Sequence, residues 1–360
     1  MKKVLTLALS ISAVCLPTFI SSSACTEAKQ DAAMERAAQT PAKDSPPTDS
    51  TSILEQKISQ IAATSGGTVG VTAIHIESGK RVSLNGAERF PMASVYKLPI
   101  ALQVLRRVER GELKLSDTVK LSEHDFRPGV SPVIKEVKGK SLTVTITRLL
   151  DLMLGMSDNT ASDILMRQAG GPEAITARLR ELGIKGVDVN RSEAQMALDF
   201  WGVRQPPPES EWTLALFDKL KAEVKPAERE AAAAAAVSEM RDTSTPDAMA
   251  ELLIKFHRGE TLGTEGTERV LRIMKASPTG PARLKGLLPK GTVVAHKTGT
   301  IGSMTNDVGI IKLPGDGGHI AIAVFVKGST KSVEERERVI AEIARAAYDH
   351  FTTPQPTGAR

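Results

Sequence analysis

Strand-type alternation is confined to the two ends of the folded part of this chain. Val69, Val71, Ala73 and Ile74 begin one run, and Glu77-Ser78-Gly79-Lys80 turns it into residues 81–84. The next strand-like runs come about two hundred residues later, at 292–296, 307–313 and 319–326, with 315–318 as a turn. From about Ser94 to Gly280 the apolar residues recur mostly at helical spacing. Leu54, Ile58 and Ile61 give a helix ahead of the first strand, and a last helix covers about 333–351. Strands so far apart must meet each other. The expected fold is therefore α/β: one antiparallel sheet built from both chain termini, flanking helices, and an inserted all-α subdomain.

The chain has 360 residues, 41% hydrophobic and 25% charged, enough for one large domain or two subdomains sharing a core. A net charge of +5 includes Lys2 and Lys3 and is too weak a bias to argue for nucleic acid. Those lysines precede an apolar run from Val4 to Ile20 that ends in small residues, the pattern of an export signal over 1–24. Cys25 then stands first in the exported chain, as a cleavage product or as a site for lipid. Residues 25–51 are rich in Ala, Pro, Ser, Thr and charge, and read as a flexible tether. The catalytic part is expected over 52–354, with 355–360 as a tail. Cys15 and Cys25 are the only cysteines, so the folded part has no disulfide and no thiolate ligand. The six histidines include no pair at ligand spacing, which argues against a zinc hydrolase, and no cofactor is expected.

Three short motifs carry chemistry. Ser94-Val95-Tyr96-Lys97 opens an apolar helical stretch, and positions i and i+3 share a helix face, so the Lys97 amine can meet the Ser94 hydroxyl. Alone, the same residues read as a helix cap followed by a solvated lysine. Ser157-Asp158-Asn159 lies between two helical runs, either as a turn or as a proton shuttle (Ser157) beside a hydrogen-bonding amide (Asn159). Lys297-Thr298-Gly299-Thr300 ends a strand, where Lys297 and Thr298 suit an anionic ligand. The N–H of Thr300 can complete an oxyanion hole with that of Ser94, and Gly299 allows close approach.

In this order the three resemble the class A serine β-lactamases of the β-lactamase and penicillin-binding protein superfamily, over about 53–352. Residues 90–93 before the serine and 305–307 after the strand motif match as well. The resemblance implies hydrolysis of β-lactams through an acyl-enzyme on Ser94. It also implies that Arg191-Ser192-Glu193 belongs to an omega loop whose glutamate activates the deacylating water, and that Arg191 pairs with Asp242 across the loop neck. Arg283 matches a position that supplies a carboxylate-binding arginine in one branch of the family. A monomeric, exported, periplasmic protein follows, lipid-anchored if Cys25 is modified.

Three features depart from the family. Ala197 stands where an asparagine often helps hold the water. Val130, before Ser131-Pro132, replaces an aromatic wall. Glu193 and Asp242 lie 49 positions apart, far more than is usual. The extra length contains Trp212, Leu216 and Leu220 at helical spacing and Pro226 ahead of an alanine run, predicting two added helices. Trp201 and Trp212 are expected to pack this insertion onto the body. The rival readings are a D-Ala-D-Ala carboxypeptidase or serine esterase, and a β-lactam sensor that acylates without turnover.

Overall fold

The computed structural model describes residues 50–137 and 142–353. The expected leader, Cys25, almost all of the tether and the tail 355–360 lie outside the described residues. Helix α1 (Ser50–Ala63) leads into β1 (Thr68–His75), β2 (Arg81–Leu84) and the short β3 (Phe90–Pro91), and a 3₁₀ turn over Ala93–Tyr96 feeds α2 (Lys97–Glu109). Next come β4 (Thr118–Leu121), β5 (Leu142–Thr145), α3 (Ile146–Leu150), a π-helical turn over Asp151–Gly155, α4 (Asn159–Gln168) and α5 (Gly171–Glu181). The long insertion carries α6 (Glu193–Trp201), α7 (Leu214–Glu223) and α8 (Pro226–Ala235). Last are β6 (Thr243–Ser244), α9 (Pro246–His257), α10 (Thr264–Ala276), β7 (Val294–Ile301), β8 (Met304–Lys312), β9 (His319–Lys327) and α11 (Val333–Thr352).

The sheet is antiparallel in the order β2-β1-β9-β8-β7, so the two chain ends do pair, Gly70 opposite Phe325. Strands β8 and β9 are buried on both faces because helices cover both. On one face α1 and α11 pack through Ile58, Ile340 and Ile343. On the other, Phe90, Phe256 and Phe325 join the sheet to the helical subdomain. The capping box Ser332/Glu335 fixes where α11 starts.

Two details differ from the sequence reading. The region 94–280 also holds the antiparallel pair β4 with β5 and the short β6, which pairs with β3 just ahead of the region; all are too short to leave a period-2 signature. The last strands begin and end elsewhere than expected: β7 starts at Val294 and runs through Lys297–Thr300 to Ile301. The Lys-Thr-Gly-Thr motif does end a strand as expected, paired with β8 along its length and followed by one more strand residue, Ile301.

The insertion has its own apolar cluster of Ala194, Leu198, Val203, Trp212 and Phe217. Trp212 is buried there, donates its indole N–H to the Pro207 carbonyl at 2.9 Å, and lies under the Arg127 guanidinium. Trp201 packs on Phe217 within the same unit. Both tryptophans therefore serve mainly the insertion's own core. Trp212→Ala should cost about 3–5 kcal/mol locally. Hydrogen exchange should then accelerate across 203–238 while β8 and β9 keep their protection; uniform loss of protection would mean the insertion has no separate core.

Candidate active site

A 3₁₀ turn, a π-helical turn and a strand bring the three motifs together. Ala93, just before Ser94, has φ 45°, and Ser157, just after the π-helical turn, has φ 60°. Neither is glycine, and left-handed backbone at such residues costs about 1–3 kcal/mol and is held only by surrounding contacts. Asp158 supplies one anchor: it caps α4 through Ala161 N at 2.8 Å and accepts from Val133 N at 2.7 Å. Burial raises the pKa of its carboxyl.

Lys97 is fully buried. Its Nζ donates to the Ser157 carbonyl and to Asn159 Oδ1, both at 2.8 Å, and lies 2.9 Å from Glu193 Oε1. The Ser157 hydroxyl lies between two amines, 3.0 Å from Lys297 Nζ and 3.4 Å from Lys97 Nζ. Burial first, and the nearby Lys97 next, hold the Lys297 amine well below the usual lysine range.

Gly299 sets the distance between β7 and the turn that carries Ser94. A Cβ there would fall 2.6 Å from the Met92 carbonyl oxygen and 3.2 Å from Ser94 N. Only glycine lets the two backbones approach so closely. Asn306 ties the same turn to β8, its Nδ2 donating to the Pro91 and Met92 carbonyls.

Glu193 opens α6, whose first turn is held by the capping box Ser192/Gln195 and by Asp163. Asp163 accepts from Glu193 N at 2.6 Å and from Ala194 N at 3.3 Å, and is itself paired with buried Arg127 at 2.6 Å. At the loop neck, Arg191 Nε donates to Asp242 Oδ2 at 2.6 Å, and Asp242 Oδ1 accepts from Asn190 N and Arg191 N. Glu239 joins through Arg191 and Arg241.

Ser94, Ser157, Asn159, Glu193 and Thr300 line one cavity of about 570 Å³. Val130 and Ala197 face it too, and the insertion adds Trp201 and Ala232 to its wall. Thr298 donates to Thr279 Oγ1 at 2.9 Å.

The Beta-lactamase enzyme family model matches residues 53–351. The extended-spectrum β-lactamase PER-1 of Pseudomonas aeruginosa is 34% identical over 303 residues, covering 82% of this chain and 86% of that one. Among solved structures, a β-lactamase from Chitinophaga pinensis is 32% identical with a TM-score of 0.67, covering 82% of this chain and 98% of that one. TLA-1, an extended-spectrum β-lactamase, reaches a TM-score of 0.70 at 29% identity, covering 85% and 100%. The chain belongs to the β-lactamase family. It is a class A serine β-lactamase, a cyclic-amide hydrolase.

In this β-lactamase Arg283 is buried and engaged. Its guanidinium donates to Glu337, to the Gly299 and Asn306 carbonyls, and to Thr300 Oγ1 at 2.6 Å. It therefore meets the strand from behind Thr300 and is not among the residues lining the cavity. Asp163 and Arg127 were missed by the sequence reading. The one available signal was a pair of charges flanking otherwise apolar positions: Asp163 on buried α4, and Arg127 four residues before Ser131. His296 lies under the site, buried, with Nδ1 2.8 Å from an Asp307 oxygen.

Two predictions follow from this geometry. Gly299→Ala should lower kcat/KM on a chromogenic cephalosporin by about 100-fold, because a displacement near 1 Å misaligns the serine and the strand; an unchanged value would mean the approach is slack. Glu239 is held at a pKa of about 2, chiefly by its hydrogen bond to Arg241. A depressed carboxylate stabilises the fold above its usual 4.5, and that contribution fades as pH falls toward about 2. The gap in urea midpoint between the wild type and Glu239→Gln should therefore be widest above that range and close on acidification. A gap independent of pH would refute the assignment.

Proposed function

We propose that Ser94 is the acylation nucleophile and Glu193 the base for deacylation, in an exported enzyme that destroys β-lactam antibiotics. The observation that carries this reading is the convergence of Lys97 Nζ on Glu193, Asn159 and Ser157 around the cavity that Ser94 lines. The Ser94 hydroxyl gives up its proton to Lys97 after that amine has passed its own to Glu193, or to Glu193 through water, as it attacks the lactam carbonyl. The developing oxyanion takes hydrogen bonds from the N–H groups of Ser94 and Thr300. Ser157 accepts from two amines, so its own O–H is free to protonate the departing ring nitrogen, and a lysine restores that proton. Lys297 and Thr298 receive the substrate carboxylate. Arg283 acts through Thr300, holding its hydroxyl toward that anion. Glu193 then drives water onto the ester and frees Ser94.

The Arg191–Asp242 neck keeps Glu193 in place, and the wider wall of Trp201 and Ala232 offers room for a large acyl side chain. Export through residues 1–24, a tether over 25–51 and lipid on Cys25 complete the reading, with the enzyme acting as a monomer at or near a membrane. Among the described residues no helix is long and apolar enough to cross a membrane.

Glu193→Gln should still acylate, giving a burst of one product per enzyme, while steady-state hydrolysis of a chromogenic cephalosporin falls by about 10²–10⁴. Mass spectrometry should show the adduct on Ser94. Equal turnover in the wild type and the variant would refute the role of Glu193. A wild type that only bursts would instead support the sensor.

A further inference from the structure

At the end of the sheet far from Ser94, three ligating side chains from separate segments meet: Glu77 after β1, His257 at the last residue of α9, and His319 at the first residue of β9. We propose that Glu77, His257 and His319 form a structural site for a zinc-class divalent ion.

One donor atom from each residue lies within 4.8 Å of the other two. The imidazole rings of His257 and His319 have centroids 4.4 Å apart. Two imidazoles and a carboxylate favour zinc and its neighbours over calcium or magnesium, which prefer all-oxygen sites. Bonds of about 2.0–2.1 Å to a tetrahedral ion require the donors to draw in to about 3.3 Å from one another. Glu77 has a half-exposed side chain, which leaves room on its solvent side for that adjustment. Two features make the arrangement more than a chance meeting. His257 Nδ1 is buried without a hydrogen-bond partner, a lone donor or acceptor that an interior normally satisfies. Glu77 is held by His319 twice, Oε2 accepting from His319 N at 2.8 Å and Oε1 lying 2.9 Å from His319 Nδ1. Gly318 makes room for it, since a Cβ there would fall 2.2 Å from Glu77 Oε2. A metal would take the place of the proton between Glu77 and His319. His75 stands just outside, its Nε2 bonded to the Gly317 carbonyl at 2.7 Å and 3.6 Å from Glu77 Oε2. Arg258 and Lys275 oppose a cation at His257, and Glu77 favours one.

His319 pairs with Lys312 and Lys297 with Val308, four residues away along β8 or roughly 14 Å. The ion would thus pin α9 and the β1–β2 turn to β9 without reaching the catalytic residues. Its effect is on stability, by mass action on the folded state.

The test uses untagged full-length protein, stripped by chelator and titrated calorimetrically with zinc chloride at about pH 7.5, where free histidine is mostly neutral. The expected result is one ion per chain at micromolar affinity, about 10⁻⁶ M, and a rise in Tm of about 2 °C or more at saturation. His257→Gln, His319→Gln and the exposed Glu77→Gln should each weaken binding about tenfold or more. Cephalosporin hydrolysis should stay at the wild-type rate in all three, which shows that they fold. Absence of saturable binding below about 1 mM zinc, or binding that none of the three substitutions weakens, would overturn the proposal.

Discussion

The ammonium of Lys97 has no contact with solvent, and three acceptors from two separate parts of the chain converge on it. A lone charge buried in this way would cost several kcal/mol, so the fold has to bring counter-groups to it. The Ser157 carbonyl comes from the loop after the π-helical turn, Asn159 from the start of α4, and Glu193 from the start of α6. Each of those elements is then anchored in turn. Asp158 caps α4, and Asp163 holds the first turn of α6 while paired with Arg127. Removing one partner from that last buried pair is the kind of change that costs about 3–5 kcal/mol. The site is thus less a set of residues on a scaffold than a point at which helix starts are fastened together by charge.

Among the described residues, three of the four non-glycine positions with left-handed backbone lie in the same places, the fourth being Asn85 after β2. Ala93, Ser157 and Asp242 all adopt left-handed conformations; they precede Ser94, head the polar triplet and close the loop neck. Each is pinned by neighbours: the turn at Ala93 by Asn306 through Pro91 and Met92, Ser157 by two lysines, and Asp242 by Arg191 and Asn190. Stored conformational energy and catalytic placement share their supports.

Much of this was legible in the sequence. A sheet of distant ends followed from where strand alternation occurs, and the three motifs were visible because each is short and contiguous. Pro226 marked the start of α8 to the residue. What was hidden is hidden for physical reasons. Pairs of two or four residues, such as β3 with β6, leave no periodic trace. Asp163 looks like any helical carboxylate until α6 is folded against it. Arg283 shows an available charge in sequence, yet its donors are taken up by Glu337, Thr300 and two carbonyls. The meeting of His257 with His319 cannot be read from spacing, since the residues come from a helix end and a strand start.

The insertion between Glu193 and Asp242 folds around its own apolar cluster, yet its first helix begins with Glu193 and its last turn leads into the neck. A segment with a private core is free to drift in sequence without unsettling the sheet. Here that freedom is not complete. Part of the wall that shapes the cavity and the carboxylate facing Lys97 are carried on one helix, Trp201 at the end of α6 and Glu193 at its start, so whatever moves the one is passed along the helix to the other.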